Sequence, residues 1–193
     1  YWASEYHIDG FRFDLMGVLD IETLNEARKA LLKINPDIIM YGEGWTGGES
    51  TLPESERGMK INAPRTPGIG MFSDDIRDAV KGHVFYMDEL GFVNGAADRG
   101  EELKQAVTCA KWAKSPMQSI NYLSCHDNYT LWDRFIISNS HESEEMRIRM
   151  NKLAAAILFT AQGIPFFLHG EEFARTKISE ADGTPVSYTH LTL

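Results

Sequence analysis

The sequence predicts an α/β fold built on parallel strands, and three observations carry the expectation. Three short apolar runs end in a carboxylate: Gly10-Phe11-Arg12-Phe13-Asp14, Ile38-Ile39-Met40-Tyr41-Gly42-Glu43, and Ile120-Asn121-Tyr122-Leu123-Ser124-Cys125-His126-Asp127. The first two lie 29 residues apart with a helical pattern between them, about one strand-helix unit of a (β/α)8 barrel. A later run, Ile164 to Leu168, is almost wholly apolar, as a parallel strand covered on both faces should be. If the runs are strands of one barrel, Asp14, Glu43 and Asp127 meet at its C-terminal rim, where barrel enzymes place their chemistry.

Each element has a local reason. Strand alternation puts Arg12, Asp14 and Met16 on one face and Phe11, Phe13 and Leu15 on the other. Asp20 can cap a helix running to about Ile34, with Ile21, Leu24, Ala27, Leu31 and Ile34 at helical spacing. Asn35-Pro36 stops it, and a strand follows from about Asp37. A loop rich in Gly and Pro spans Thr46 to Pro67, and Gly68 to Phe72 is a further strand candidate. Asp75 to Lys81 and Glu101 to Ala113 read as helices, as does Ser143 to Thr160, which Gly163 closes before the last strand. Pro165 fits only near the start of that strand.

The paired carboxylates invite an acid and base reading, because glycoside hydrolysis needs two such groups in different protonation states. The Arg12 guanidinium would hold Asp14 as an anion, whereas partial burial of Glu43 beside Gly44-Trp45 would favour its protonated form. The first run alone is equally compatible with a structural ion pair between Arg12 and Asp14. Trp45 offers an indole face as a sugar platform within a glycine-rich loop, its alternative being a packed core aromatic. Core packing is the expectation for Trp2, Trp112 and Trp132. His126 can hydrogen-bond a hydroxyl, although a lone histidine is more often a satisfied polar residue.

The runs His7 to Gly17, Tyr41-Gly42-Glu43-Gly44-Trp45 and Ser124-Cys125-His126-Asp127-Asn128 resemble three motifs of the alpha-amylase superfamily, glycoside hydrolase family thirteen. Leu15-Met16-Gly17, Gly44-Trp45 and Gly170-Glu171-Glu172-Phe173-Ala174-Arg175-Thr176-Lys177 narrow the resemblance to the type I pullulanases, which debranch starch. The likeness runs from about Tyr1 to Lys177, in the right order. It implies a partial TIM (β/α)8 barrel, roughly strands four to eight with their helices, and catalytic roles for Asp14 as nucleophile, Glu43 as general acid and base, and Asp127 as third carboxylate. Arg12, Met16, Trp45, His126 and Asn128 are implied to bind substrate, an alpha-glucan cleaved at alpha-1,6 branch points with retention of configuration. Isoamylase or glycogen-debranching relatives are the close alternatives, and an inactive sugar-binding fragment is the alternative from another class.

A metal reading of the carboxylates competes, since barrels of the enolase type hold magnesium with acids at successive strand ends. Arg12 argues against it, because a permanent guanidinium beside Asp14 competes with a divalent cation. No histidine set at zinc-ligand spacing is present. No cofactor is expected; the resemblance allows a structural calcium in a parent protein, with nothing in this segment to indicate one.

Composition bounds the rest. The chain is 43% hydrophobic with no apolar run near the length of a membrane span. Its net charge of −9 disfavours nucleic acid and anionic membranes as partners and is indifferent to a neutral glucan. Two cysteines, Cys109 and Cys125, suggest no disulfide framework. At 193 residues the chain falls short of the roughly 250 a complete barrel uses, so the expectation is a barrel fragment over 1–181, inactive in isolation. Residues 182–193 depart from the family pattern and read as a non-native or divergent tail.

Overall fold

A computed structural model describes residues 1–179 and 182–186. Five short strands, β1 (Gly10–Phe13), β2 (Ile39–Gly42), β3 (Ile69–Ser73), β4 (Ser119–Tyr122) and β5 (Ile164–Phe166), stand in the sheet in chain order. Between them run helices α2 (Ile21–Leu31), α3 (Asp74–Lys81), α4 (Gly100–Val107), α5 (Leu131–Ser138) and α6 (Glu144–Thr160), after a short N-terminal α1 (Trp2–Glu5). Sequential strands joined through helices are the α/β arrangement that the sequence predicts, consistent with part of a (β/α)8 barrel. The chain divides into two compact units, residues 1–72 with 111–120, and residues 73–110 with 121–193.

In the first unit β1 and β2 pair in parallel with Phe13 opposite Gly42, and β2 and β3 pair with Gly42 opposite Met71. Asp20 caps α2 as expected: its Oδ1 accepts the Thr23 N–H at 2.7 Å, satisfying one of the helix's unpaired donors. The helix ends at Leu31, three residues early, as turn bonds such as Lys33 N–H to the Ala30 carbonyl tighten its last turn ahead of Pro36. Met16, Leu24, Met40, Ala63, Ile69 and Met71 form the core of this unit, with Phe13, Leu19 and Trp112 packed against it. The long loop after β2 carries structure of its own, because Arg57 donates to the Leu52 and Ser50 carbonyls at 2.7 and 2.9 Å and pins its middle.

In the second unit Ile76, Val80, Leu123, Leu131, Phe135, Ala154 and Leu158 form the core. Gly82 terminates α3 at φ +86°, where a Cβ would fall 1.9 Å from the Glu89 carbonyl oxygen, so no side chain fits. Helix α4 stops at Val107 rather than Ala113: the Thr108 hydroxyl donates back to the Lys104 carbonyl at 3.0 Å, and Cys109 turns to φ +90°. Ser143 caps α6 by accepting the Met146 N–H at 3.2 Å. Buried Arg134 donates to the Lys81, Tyr86 and Glu89 carbonyls and thereby ties down the loop after α3.

Three expectations change. Strands β1 and β2 end directly before Asp14 and Glu43, where the sequence places the change to a loop, but β4 ends at Tyr122, well before Asp127. Strand β5 is only half buried, because it stands last in the sheet order with one strand neighbour among the described residues, whereas β3 and β4 are buried throughout. Trp2 is 56% exposed, not core, and clusters instead with the rings of Tyr1 and Tyr6. Cys109 and Cys125 are not joined in a disulfide, and among the described residues no helix is long and apolar enough to cross a membrane. Of the tail, residues 182–186 form a turn in which Pro185 bridges Ile178 and Ser179 N–H donates to the Thr184 carbonyl at 2.8 Å. The reading of 187–193 as non-native lies outside the described residues.

Candidate active site

The register of β1 and β2 places two carboxylates together. Phe13 and Gly42 are Cα partners, so the next residues, Asp14 and Glu43, leave adjacent strands at the same level. Parallel strands run about 4.8 Å apart, and a carboxylate oxygen of Asp14 lies within 4.8 Å of one of Glu43. The Glu43 N–H donates to the Phe13 carbonyl at 3.0 Å and extends the pairing to the acid itself. Gly42 permits this approach, since a Cβ there would stand 2.5 Å from the Phe13 carbonyl oxygen.

Glu43 is 4% exposed and both its oxygens accept hydrogen bonds. Arg12 Nη2 donates to Oε1 at 2.8 Å, and the Leu15 N–H donates to Oε2 at 2.9 Å. Arg12 also approaches Asp14 Oδ1 at 3.8 Å, and its guanidinium carbon lies 5.2 Å from the centroid of the Phe72 ring. The nearer partner of Arg12 is therefore Glu43, not the Asp14 that the sequence suggests. Alternation on one strand pairs Arg12 with Asp14, whereas the register across two strands brings Glu43 closer. A guanidinium already on Oε1 also disfavours a divalent cation between the two carboxylates.

The turn after β1 departs from the predicted alternation. Leu15 takes a left-handed φ of +44°, a conformation that costs a side-chain-bearing residue about 1–2 kcal/mol. It aims the Leu15 N–H at Glu43 and turns Met16 inward. Met16, implied as a sugar contact, is fully buried in the core of the first unit, which corrects its placement on the face of Arg12 and Asp14. Gly17 follows, and its N–H lies 3.2 Å from the Glu43 carbonyl and 3.1 Å from that of Trp45. Trp45 is half-buried, with Lys60 Nζ 5.4 Å from its ring centroid. Lys60 occupies one indole face, a contact no sequence signal announces because Lys60 lies far along the loop.

The second unit holds the third carboxylate. Beyond β4 the chain runs through buried Leu123, Ser124 and Cys125 to His126, Asp127 and Asn128, with Asn128 at φ +61°. His126 Nε2 lies 3.5 Å from Asp127 Oδ2, and the Asp127 side chain is 66% exposed. Ser124 Oγ donates to Glu171 Oε1 at 3.0 Å and accepts the Leu131 N–H at 2.8 Å, while Glu171 Oε2 accepts the Leu168 N–H. Burial raises the Glu171 carboxyl above its ordinary range. Lys177 Nζ donates to the His126 carbonyl at 2.9 Å, and the Lys177 N–H donates to Asp133 Oδ2 at 2.7 Å. Burial lowers the Lys177 ammonium, opposed by Asp127 and then Asp133, and burial raises the Asp133 carboxyl. Glu171 and Lys177 stand within a run that the sequence singles out, but their partners are distant in the chain and leave no local mark.

No protein-family model matches the chain. It is 41% identical over 184 residues to the pullulanase of Bacillus subtilis strain 168, covering 92% of this chain and 26% of that protein. The structure matches the pullulanase of Anoxybacillus sp. LM18-11 complexed with maltotetraose at a TM-score of 0.91 and 46% identity, over 97% of this chain and 27% of that one. It matches the type I pullulanase of Bacillus subtilis strain 168 complexed with maltose at a TM-score of 0.90 and 39% identity, over 97% and 27%. The chain thus spans about a quarter of the length of these relatives.

Proposed function

The chain is a homologue of a segment of the type I pullulanases, and from that premise we propose that the protein carrying it hydrolyses alpha-1,6-glucosidic branch points of pullulan, starch or glycogen-type glucans by a retaining double displacement. The observation that carries this reading is the Asp14 and Glu43 pair on adjacent strands, with oxygens within 4.8 Å of one another. Retaining enzymes hold their carboxyl groups about 5–5.5 Å apart, whereas inverting ones leave about 6.5–9.5 Å for a water.

In this reading Asp14 attacks the anomeric carbon while Glu43 protonates the departing glycosidic oxygen. Glu43 then takes a proton from the water that cleaves the glycosyl ester. Arg12 orients both carboxylates, Asp127 and His126 bind glycone hydroxyls, Asn128 supports that turn, and Trp45 offers the indole face opposite Lys60 to a sugar ring. Sugar complexes of the relatives support an oligosaccharide as the partner. No metal takes part in the chemical step, so turnover should persist after exhaustive chelation.

The product spectrum on pullulan tests the linkage. Maltotriose as the end product supports alpha-1,6 cleavage. Panose would point to alpha-1,4 cleavage and overturn the debranching assignment while leaving the carboxylate roles standing.

A further inference from the structure

The turn that carries His126 and Asp127 is tied to a segment distant in the chain. It follows the end of β4 at Tyr122, passes through the left-handed Asn128, and presents an Asp127 side chain that is 66% exposed. The segment around Lys177 holds it from outside. Asp133, fully buried in the first turn of α5, accepts the Lys177 backbone N–H at 2.7 Å and so fixes where that residue starts. From there the Lys177 side chain returns to the His126 carbonyl at 2.9 Å. The chain from His126 to Asp133 and the two hydrogen bonds through Lys177 make a closed ring.

We propose that Lys177 is a positioning residue for the glycone-binding turn, its ammonium fixing the His126 carbonyl and hence the direction in which Asp127 meets the sugar. The inference rests on the glycosidase reading above. Half-burying an ammonium is costly unless anions compensate, and the carboxylates of Asp127 and Asp133 supply that compensation, with Arg175 as the opposing cation. The arrangement suits a lysine, because its donor sits at the end of a long stem anchored at the backbone. A carbonyl is also a partner that substrate cannot displace by competing for charge. Lys177 need not touch sugar; it acts through the backbone that carries the residues that do.

The test uses a full-length enzyme bearing this chain, its Lys177→Met and Lys177→Arg variants, and pullulan hydrolysis followed alongside thermal unfolding. An error near 1 Å in a catalytic group costs about a hundredfold in rate. Lys177→Met should therefore lower kcat by about 10- to 100-fold, with KM little changed and the melting temperature kept, because the third carboxylate acts mainly in the transition state. Lys177→Arg, which keeps a cationic donor, should recover most of the loss. Parental kcat in Lys177→Met overturns the inference. So does a rise in KM at unchanged kcat, which would make Lys177 a direct sugar ligand. A loss that follows the melting temperature and is not recovered by arginine would mean a purely structural role and also overturns it. An unsubstituted enzyme inactive on every alpha-glucan would instead remove the functional reading first, and this inference with it.

Discussion

Arg12 donates to Glu43 at 2.8 Å, nearer than its 3.8 Å approach to Asp14. One guanidinium therefore reaches both carboxylates of the proposed double displacement, and it rests on Glu43, the proposed acid. With the Leu15 N–H on its other oxygen, Glu43 is held as a double acceptor. Asp14 is the second anion within reach of the same guanidinium.

Arg12→Leu should therefore lower kcat/KM on pullulan by about 10- to 150-fold, the rate equivalent of the roughly 1.5–3 kcal/mol in a charged hydrogen bond. Arg12→Lys should not restore it, since one ammonium cannot reproduce a planar fork addressed to two groups. Steady-state kinetics beside circular dichroism checks both. Full activity in Arg12→Lys would reduce Arg12 to a simple counter-charge.

Asp14→Asn and Glu43→Gln should each cut turnover by about four orders of magnitude while folding persists, because each removes one step of a two-step reaction. Azide should rescue Asp14→Ala and Glu43→Ala with products of opposite anomeric configuration, read by proton NMR. The same anomer from both would mean that the roles are assigned wrongly.

Lys81 sets a pH dependence of stability. Burial, then the neighbouring Arg77, pull its ammonium from 10.5 down to about 7, with Glu171 opposing and Arg134 and Asp78 also facing it. Its folded state binds fewer protons than its unfolded state between those values, so its contribution to stability rises with pH from about 7 to 10.5 and is flat below. Urea unfolding of a full-length protein carrying this chain should show that rise, and Lys81→Met should flatten it. An unchanged slope in the variant would assign the pH dependence elsewhere.

Residues 1–193 produced alone should associate and show no measurable pullulan hydrolysis. Two of the five strands, β1 and β5, stand at the ends of the sheet order, and an unpaired strand edge favours association with another chain. Analytical ultracentrifugation and a reducing-sugar assay check this. A monomer that unfolds cooperatively and releases maltotriose would contradict it.

What could be read from the sequence was what short stretches encode. The carboxylates at the ends of β1 and β2, the Asp20 cap, the helix from Ser143 and the strands β3 and β4 follow from residue type and spacing, and the structure reproduces them. What could not be read depends on register or on a residue behaving against its type. Leucine seldom adopts a positive φ, so nothing marked Leu15 as the point where alternation breaks and Met16 turns into the core. The transfer of Arg12 toward Glu43 requires knowing that Phe13 faces Gly42. Lys60 over Trp45 and Lys177 on the His126 carbonyl join residues far apart in the chain, and no local pattern encodes such a pair.

Gly17 gives the carboxylate pair a rigidity of its own. Its N–H reaches the Glu43 and Trp45 carbonyls, and a Cβ there would stand 2.6 Å from the Trp45 carbonyl. The turn after Asp14 is thus stitched main chain to main chain onto the turn after Glu43. On the proposed mechanism, the spacing that sets the stereochemical outcome is then carried by the scaffold as well as by the two side chains. An engineer wishing to open room for an inverting water would have to rebuild two turns together, and directed evolution by single substitutions would more readily lose the enzyme than change its anomer.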